Sequence, residues 1–183
     1  PEKPTGTVDV KLDESGGAAF TITPEVAWDY LEWTDGLEAL ARKADAVCFG
    51  SLAQRHARSR QTIRRFLRTV PSRALKIFDV NLRRPYYSAD ILRNSLAACT
   101  MAKLNEDELP AVLGALGLSA AGGLEEGGRR LREAFALELV CLTLGAQGSL
   151  LIGAGEACRS EGICVAVADT VGAGDAFTAA LCH

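Results

Sequence analysis

The sequence predicts an α/β fold built on a mostly parallel sheet, and three observations carry that prediction. From about residue 45 onward, short apolar runs of strand length alternate with longer segments of helical spacing, which is the pattern of strand–helix–strand units. Near the end, Val165-Ala166-Val167-Ala168 runs into a glycine-rich turn and then an Ala-rich helix. Before residue 24 the pattern is different, with period-two alternation broken by a turn cluster, as in a β-hairpin.

In chain order, residues 5–23 form the hairpin segment. Thr7-Val8-Asp9-Val10-Lys11-Leu12 alternates, Asp13-Glu14-Ser15-Gly16-Gly17 supplies the turn, and Ala19-Phe20-Thr21-Ile22-Thr23 resumes the alternation. Beyond it, Thr23 and Pro24 read as the cap and first position of a helix that buries Val26, Trp28, Leu31 and Trp33. Strands are expected at residues 46–50, 75–80, 99–104, 138–143, 149–152 and 163–167. Helices are expected at residues 58–68, 89–97, 106–116 and 124–135. Such alternation implies a mostly parallel sheet with both faces covered. The arginines at 58, 60, 64, 65 and 68 read as a solvated helix face rather than a binding patch.

The 183 residues suffice for one domain with a substantial core, and 48% hydrophobic with 23% charged residues is ordinary globular composition. A net charge of −3 gives no electrostatic reason to expect a nucleic-acid partner. No apolar run approaches the roughly 20 residues needed to span a bilayer, so no membrane partner is expected. Pro1-Glu2-Lys3-Pro4 has none of the regions of a signal peptide, which points to the cytoplasm. The six cysteines form no CxxC pair and the histidines are only two, so zinc ligation is not expected and buried free thiols are.

The strongest local signal is Asp169-Thr170-Val171-Gly172-Ala173-Gly174-Asp175. A glycine turn entering a helix leaves backbone N–H groups free where the helix dipole favours negative charge. Gly172 and Gly174 permit close approach of a ligand, and such a turn stabilises charge on a phosphoryl group in flight. Asp175, on the first turn, is placed to accept the proton of an attacking hydroxyl. The alternative is an acidic residue at a helix start with no chemistry. A dinucleotide fingerprint would need glycine at Phe177, and no Gly-x4-Gly-Lys-Ser/Thr is present, so a P-loop is excluded.

Three further motifs stand in order upstream: Asp79-Val80-Asn81-Leu82-Arg83, Lys103-Leu104-Asn105-Glu106-Asp107-Glu108, and Thr143-Leu144-Gly145-Ala146-Gln147-Gly148. Together with the glycine turn, they resemble the signatures of ribokinase-like (PfkB-type) carbohydrate kinases. Thr5-Gly6-Thr7 before the hairpin and Val26-Ala27-Trp28-Asp29 after it resemble the fructokinase-type branch. The resemblance implies a three-layer α/β/α sandwich with the hairpin contributing to the lid. It implies phosphorylation of a sugar hydroxyl by ATP with Mg²⁺, a hexose such as fructose being the expected acceptor, in a cytoplasmic enzyme that is a homodimer at full length.

By the same resemblance, Asp175 is the base, and the amides of Gly172, Ala173 and Gly174 form the anion hole. Asn105 and Glu108 organise Mg²⁺, directly or through water, and Thr143 and Gly145 line the nucleotide pocket. Asn81 and Arg83 face the substrate, and Asp169 and Thr170 lie near a monovalent-cation site, implying K⁺. The alternative for Asn105 and Glu108 is a helix cap. Members of that family are longer, so the chain is expected to be a partial kinase domain over residues 1–183, lacking the N-terminal third and the C-terminal end. A non-catalytic sugar- or nucleotide-binding protein, and a kinase for 2-keto-3-deoxygluconate, ribose or a nucleoside, remain open at this point.

Overall fold

The computed structural model describes residues 2–12, 18–166 and 172–182. Its elements run β1 (Val8–Leu12), β2 (Ala18–Ile22), α1 (Asp35–Lys43), β3 (Ala46–Gly50), α2 (Ala57–Thr69), β4 (Leu75–Asp79), α3 (Ala89–Ala98) and β5 (Met101–Asn105). They continue with α4 (Glu108–Leu116), α5 (Gly123–Phe135), β6 (Leu139–Thr143), β7 (Ser149–Ile152), β8 (Ala157–Ser160) and α6 (Ala173–Leu181). β1 and β2 pair antiparallel as a separate two-stranded sheet. The other six strands form one sheet in sequential order, β3 to β6 parallel and β6-β7-β8 antiparallel.

That sequential order decides where the helices go. Right-handed crossovers that always step to the next strand in one direction must keep their helices on one face. The strand residues on that face are Phe78, Ala102, Leu104, Val140, Leu142, Leu150 and Ile152, in one cluster with Leu92, Leu96, Leu113 and Leu131 of the helices. Beside β3 the core continues as a smaller group in which Ala41 and Val70 pack with Val47 and Phe66. Gly127 and Gly128 let α5 lie close, since a Cβ at Gly127 would stand 3.0 Å from Leu113 and one at Gly128 would overlap Ile152. Among the described residues the opposite face carries α6, bonded to β4 through Thr178 and Asp79.

Local signals account for the helix ends. Thr34 accepts a hydrogen bond from Leu37 N at the start of α1, and Ser88 accepts one from Ile91 N at the start of α3. Gly117, at φ 74°, ends α4, and Leu118 N returns to Leu113 O at 2.8 Å. Of the α2 arginines, Arg58, Arg65 and Arg68 are exposed and Arg60 and Arg64 half-buried; Arg64 pairs with Asp90 at 2.9 Å and Arg65 lies over Trp33.

Three expectations are corrected. The helix expected after Pro24 is a single 3-10 turn, Ala27–Tyr30, because Glu25 at φ 60° breaks the run before it can propagate; Val26 is buried but Leu31 is 39% exposed. Of the strand expected at residues 163–167, residues 163–166 are outside the sheet, with Ile163 86% and Val165 66% exposed, while Val167 is outside the described residues. Among the described residues the last strand is β8 instead, because a short turn through Gly153 and Glu156 folds it directly onto β7. Of the six free thiols only Cys141 is buried, Cys99 is half-buried and the other four are exposed. Cys48 and Cys141 share the sheet face turned away from the main helical layer, but Cys48 sits on the edge strand β3 and Cys141 on the interior strand β6. Among the described residues no helix is long and apolar enough to cross a membrane.

Candidate active site

The carboxyl ends of β4, β5 and β6 stand side by side, Asn105 opposite Thr143 and Asp79 opposite Lys103. Open α/β sheets bind ligands at this edge. Lys103 is the one charged residue in an otherwise apolar stretch of β5, and it is buried. Its Nζ donates to Asp79 Oδ2 at 2.9 Å, and Thr178 Oγ1 of α6 donates to the same oxygen at 3.1 Å. The first turn of α6 therefore lies directly over the Asp79–Lys103 pair. A Cβ at Gly174 would stand 3.1 Å from Lys103 Nζ, so the helix reaches this depth because residue 174 has no side chain.

The glycine turn behaves as a helix entrance. Gly172, at φ 79°, caps α6, and its carbonyl accepts from Ala176 N at 2.9 Å. The first N–H groups of the helix, Ala173 and Gly174 among them, have no partner within it. Asp175 follows on the same turn and is exposed.

Two cavities meet at this turn. One, of about 490 Å³, is lined by Arg83, Lys103, Asn105, Glu108, Thr143, Gly172 and Gly174. The other, of about 320 Å³, is lined by Trp28, Cys48, Phe49, Ser51, Leu52 and Ala53. Asp79, Asn81 and Asp175 line both. Asn81 holds the boundary with a φ of 36°, a left-handed conformation that Asn tolerates better than most side chains. Ser51 Oγ fixes the same corner by donating to Val80 O at 2.8 Å. Cys48 is exposed on the wall of the smaller cavity, yet partial desolvation there, followed by the Asp79 charge, pushes its thiol up.

Glu108 is a clamp as well as a cavity residue. Its Oε1 accepts from Leu82 N at 2.7 Å and its Oε2 from Asn105 N at 2.9 Å, tying the loop after β4 to the end of β5. Asn105 Oδ1 in turn accepts from Asp107 N and Glu108 N at 3.0 and 2.8 Å. The N-cap expected at Asn105 falls instead at Asp107, which makes no side-chain cap bond, while the Asn105–Glu108 bonds brace the turn just before α4; both side chains line the larger cavity.

Comparison with known proteins decides the family. The model for the pfkB family of carbohydrate kinases matches residues 1–183. The chain belongs to that family. It is 28% identical to a sugar kinase of Pyrococcus horikoshii over 98% of its own length and 55% of the relative's. It is likewise 28% identical to a fructokinase of Vibrio alginolyticus, over 99% of this chain and 58% of the other. Among solved structures, the Pyrococcus horikoshii kinase in complex with ATP superposes with a TM-score of 0.77 at 27% identity, covering 98% of this chain and 56% of that one. A fructokinase of Vibrio cholerae with fructose, ADP and calcium ion bound superposes with a TM-score of 0.74 at 26% identity, covering 97% and 57%. The chain spans about half the length of the curated relatives it matches.

Within this pfkB-family chain, Asn81, Arg83, Asn105, Glu108, Thr143, Gly172, Gly174 and Asp175 come together at one cavity. Gly145 does not line it and sits instead in the turn between β6 and β7, and Ala173 contributes as the first residue of α6. Asp169 and Thr170 are outside the described residues. Sequence reading passed over Lys103, Thr178 and Trp28 as site residues. A lysine inside an apolar strand was a usable signal for the first; the other two depend on contacts between distant segments.

Proposed function

We propose that this chain carries the phosphoryl-transfer centre of an ATP-dependent sugar kinase of the fructokinase type, with Asp175 as the general base. The observation that carries the reading is that Asp175 and the entrance of α6 stand where two cavities meet, so one group can face both substrates. The larger cavity, with Arg83, Lys103 and the α6 amides, suits the phosphates of a nucleotide. The smaller suits the acceptor. Asp175 takes the proton of the attacking hydroxyl, and the N–H groups of Gly172, Ala173 and Gly174 hold the charge on the transferring group. The hairpin β1–β2 serves as part of the lid.

Mg²⁺ fits this site as a hydrated ion. Among the described residues no three acidic, histidine or cysteine side chains converge as ligands. Each oxygen of Glu108 already accepts one backbone N–H and keeps a lone pair for a metal-bound water. Mg²⁺ retains several waters in such sites, and when bound it supplies neutralisation of phosphate charge. Asn105 and Glu108 would orient those waters.

The test is a coupled assay of ADP release by the full-length protein against fructose, ribose, 2-keto-3-deoxygluconate and a nucleoside. Sugar-dependent release, fastest with fructose, is expected. ATP or sugar binding without turnover on any of the four would overturn the kinase reading in favour of a binding protein.

A further inference from the structure

Trp28 stands apart from every motif of the family resemblance that concerns the reaction, yet it lines the same cavity as Asp175. Its surroundings hold it in place from several directions. The Arg55 guanidinium lies over its ring at 4.0 Å, and the Tyr86 ring lies 4.8 Å from the same guanidinium, so the cation is shared by two aromatics. Arg55 is itself fixed: Nε and Nη2 donate to the two oxygens of Asp29 at 2.7 Å each, and Nη2 also donates to Thr23 O at 2.7 Å. Its Nη1 is buried and has no hydrogen-bond partner among the described residues. Gly6, just before β1, completes the enclosure, because a Cβ there would overlap the Trp28 indole. The Trp28 carbonyl accepts from Ser59 Oγ at 2.7 Å, which anchors the backbone to α2.

The cavity has two chemically different sides. Leu52 and Ala53 continue the apolar surface of Trp28, whereas Asn81 and Asp175 line the cavity with polar groups. A sugar has the same division, with C–H groups on its ring faces and hydroxyls around its rim. We infer that Trp28 is a specificity-determining wall of the acceptor site, stacking on the C–H face of the sugar, and that Arg55 is the residue that positions it. This rests on the reading of the smaller cavity as the acceptor site. An indole already held by Arg55 and Gly6 has little freedom left to lose when the sugar binds, which favours affinity. Trp28 also touches the segment entering the hairpin, so the wall and the base of the lid share one support.

The test uses the full-length protein and the variants Trp28→Ala, Trp28→Phe and Arg55→Lys. Loss of the indole is expected to raise the acceptor KM about tenfold, in line with the worth of an aromatic contact, while the KM for ATP stays within about twofold. Trp28→Phe should stay within about threefold of wild type, and Arg55→Lys should raise the acceptor KM alone by a smaller factor. Titrating wild type with sugar in the absence of nucleotide should change tryptophan emission, and the change should vanish in Trp28→Phe. That comparison decides the matter even if Trp28→Ala does not fold. An unchanged acceptor KM in a folded Trp28→Ala, an equal rise in both KM values, or an emission change that persists in Trp28→Phe would each overturn the inference. Absence of sugar-dependent ADP release in wild type would instead overturn the kinase reading on which it rests, and the inference with it.

Discussion

The two faces of the six-stranded sheet are made by the same strands, one residue out of step, and they do opposite work. On the helix-covered face Phe78, Leu104, Val140, Leu142 and Ile152 are all fully buried in one apolar cluster. On the other, the same strands present Asp79, Lys103, Asn105 and Thr143, with α6 set across them. Period-two alternation lets one set of strands supply both the core and the site. The first face stabilises the fold through area removed from water. The second spends that stability on a buried ion pair, which is of little net benefit to folding but sets the depth of the helix that carries Asp175.

That contrast is sharpest if the faces can be damaged separately. The largest effect is expected for Asp175→Asn in the full-length protein. Removal of the proposed general base should lower kcat by about 10²–10⁴-fold, or about 3–5 kcal/mol in the barrier, with the thermal unfolding midpoint unmoved. If more than about a tenth of kcat survives, the base is elsewhere. On the other face, Leu104→Ala should cost about 2–5 kcal/mol of stability in denaturant unfolding while leaving both KM values unchanged. A large change in KM would mean that the two faces are not independent.

Glu108→Gln probes the seam between them. The amide retains an acceptor for one backbone N–H, so stability should fall by about 1 kcal/mol or less. The Mg²⁺ needed for half-maximal activity should rise about tenfold, as it does when groups that orient a metal's surroundings lose charge. An unchanged Mg²⁺ titration would reduce Glu108 to the clamp between Leu82 and Asn105.

The smallest effect expected is on pH dependence. Burial pushes the Asp29 carboxyl up, but the hydrogen bonds from Arg55 and Val26 and the Arg55 charge outweigh it and hold the group below the usual carboxylate range. A depressed folded-state pKa stabilises the fold fully above the unfolded value of about 3.9. That contribution is lost as pH falls below about 4 and through the depressed value. Asp29→Asn should therefore show a shallower loss of stability on acidification over that window, measured by chemical unfolding at successive pH values. An acid limb as steep as wild type would mean that other carboxylates carry it.

Much of this was legible in the sequence, and particular residues show where legibility stopped. Residues 46–50 and 149–152 were read as strands and are strands to the residue, because an apolar run bounded by turn signals is a local property. Residues 163–166 have the same local composition and form none, since a strand also needs a neighbour to accept its hydrogen bonds. Asn81, Asn105, Glu108, Thr143 and Asp175 were singled out because their motifs are short and contiguous, and the structure brings them to one cavity. The helix expected after Pro24 failed at Glu25, whose positive φ no propensity rule anticipates.

By itself, then, the sequence determined the alternation of strands and helices, the glycine entrance to α6 and the family to which those motifs belong. These depend on residues within one element or one turn. Only the tertiary structure decided that Lys103 reaches Asp79 across 24 residues, and that Thr178 reaches the same carboxylate across 99. It also decided that Trp28, held by Arg55, shares a cavity with Asp175. The physical reason is that sheet order and crossover handedness choose which distant side chains meet, and neither is written in the spacing of the residues that meet.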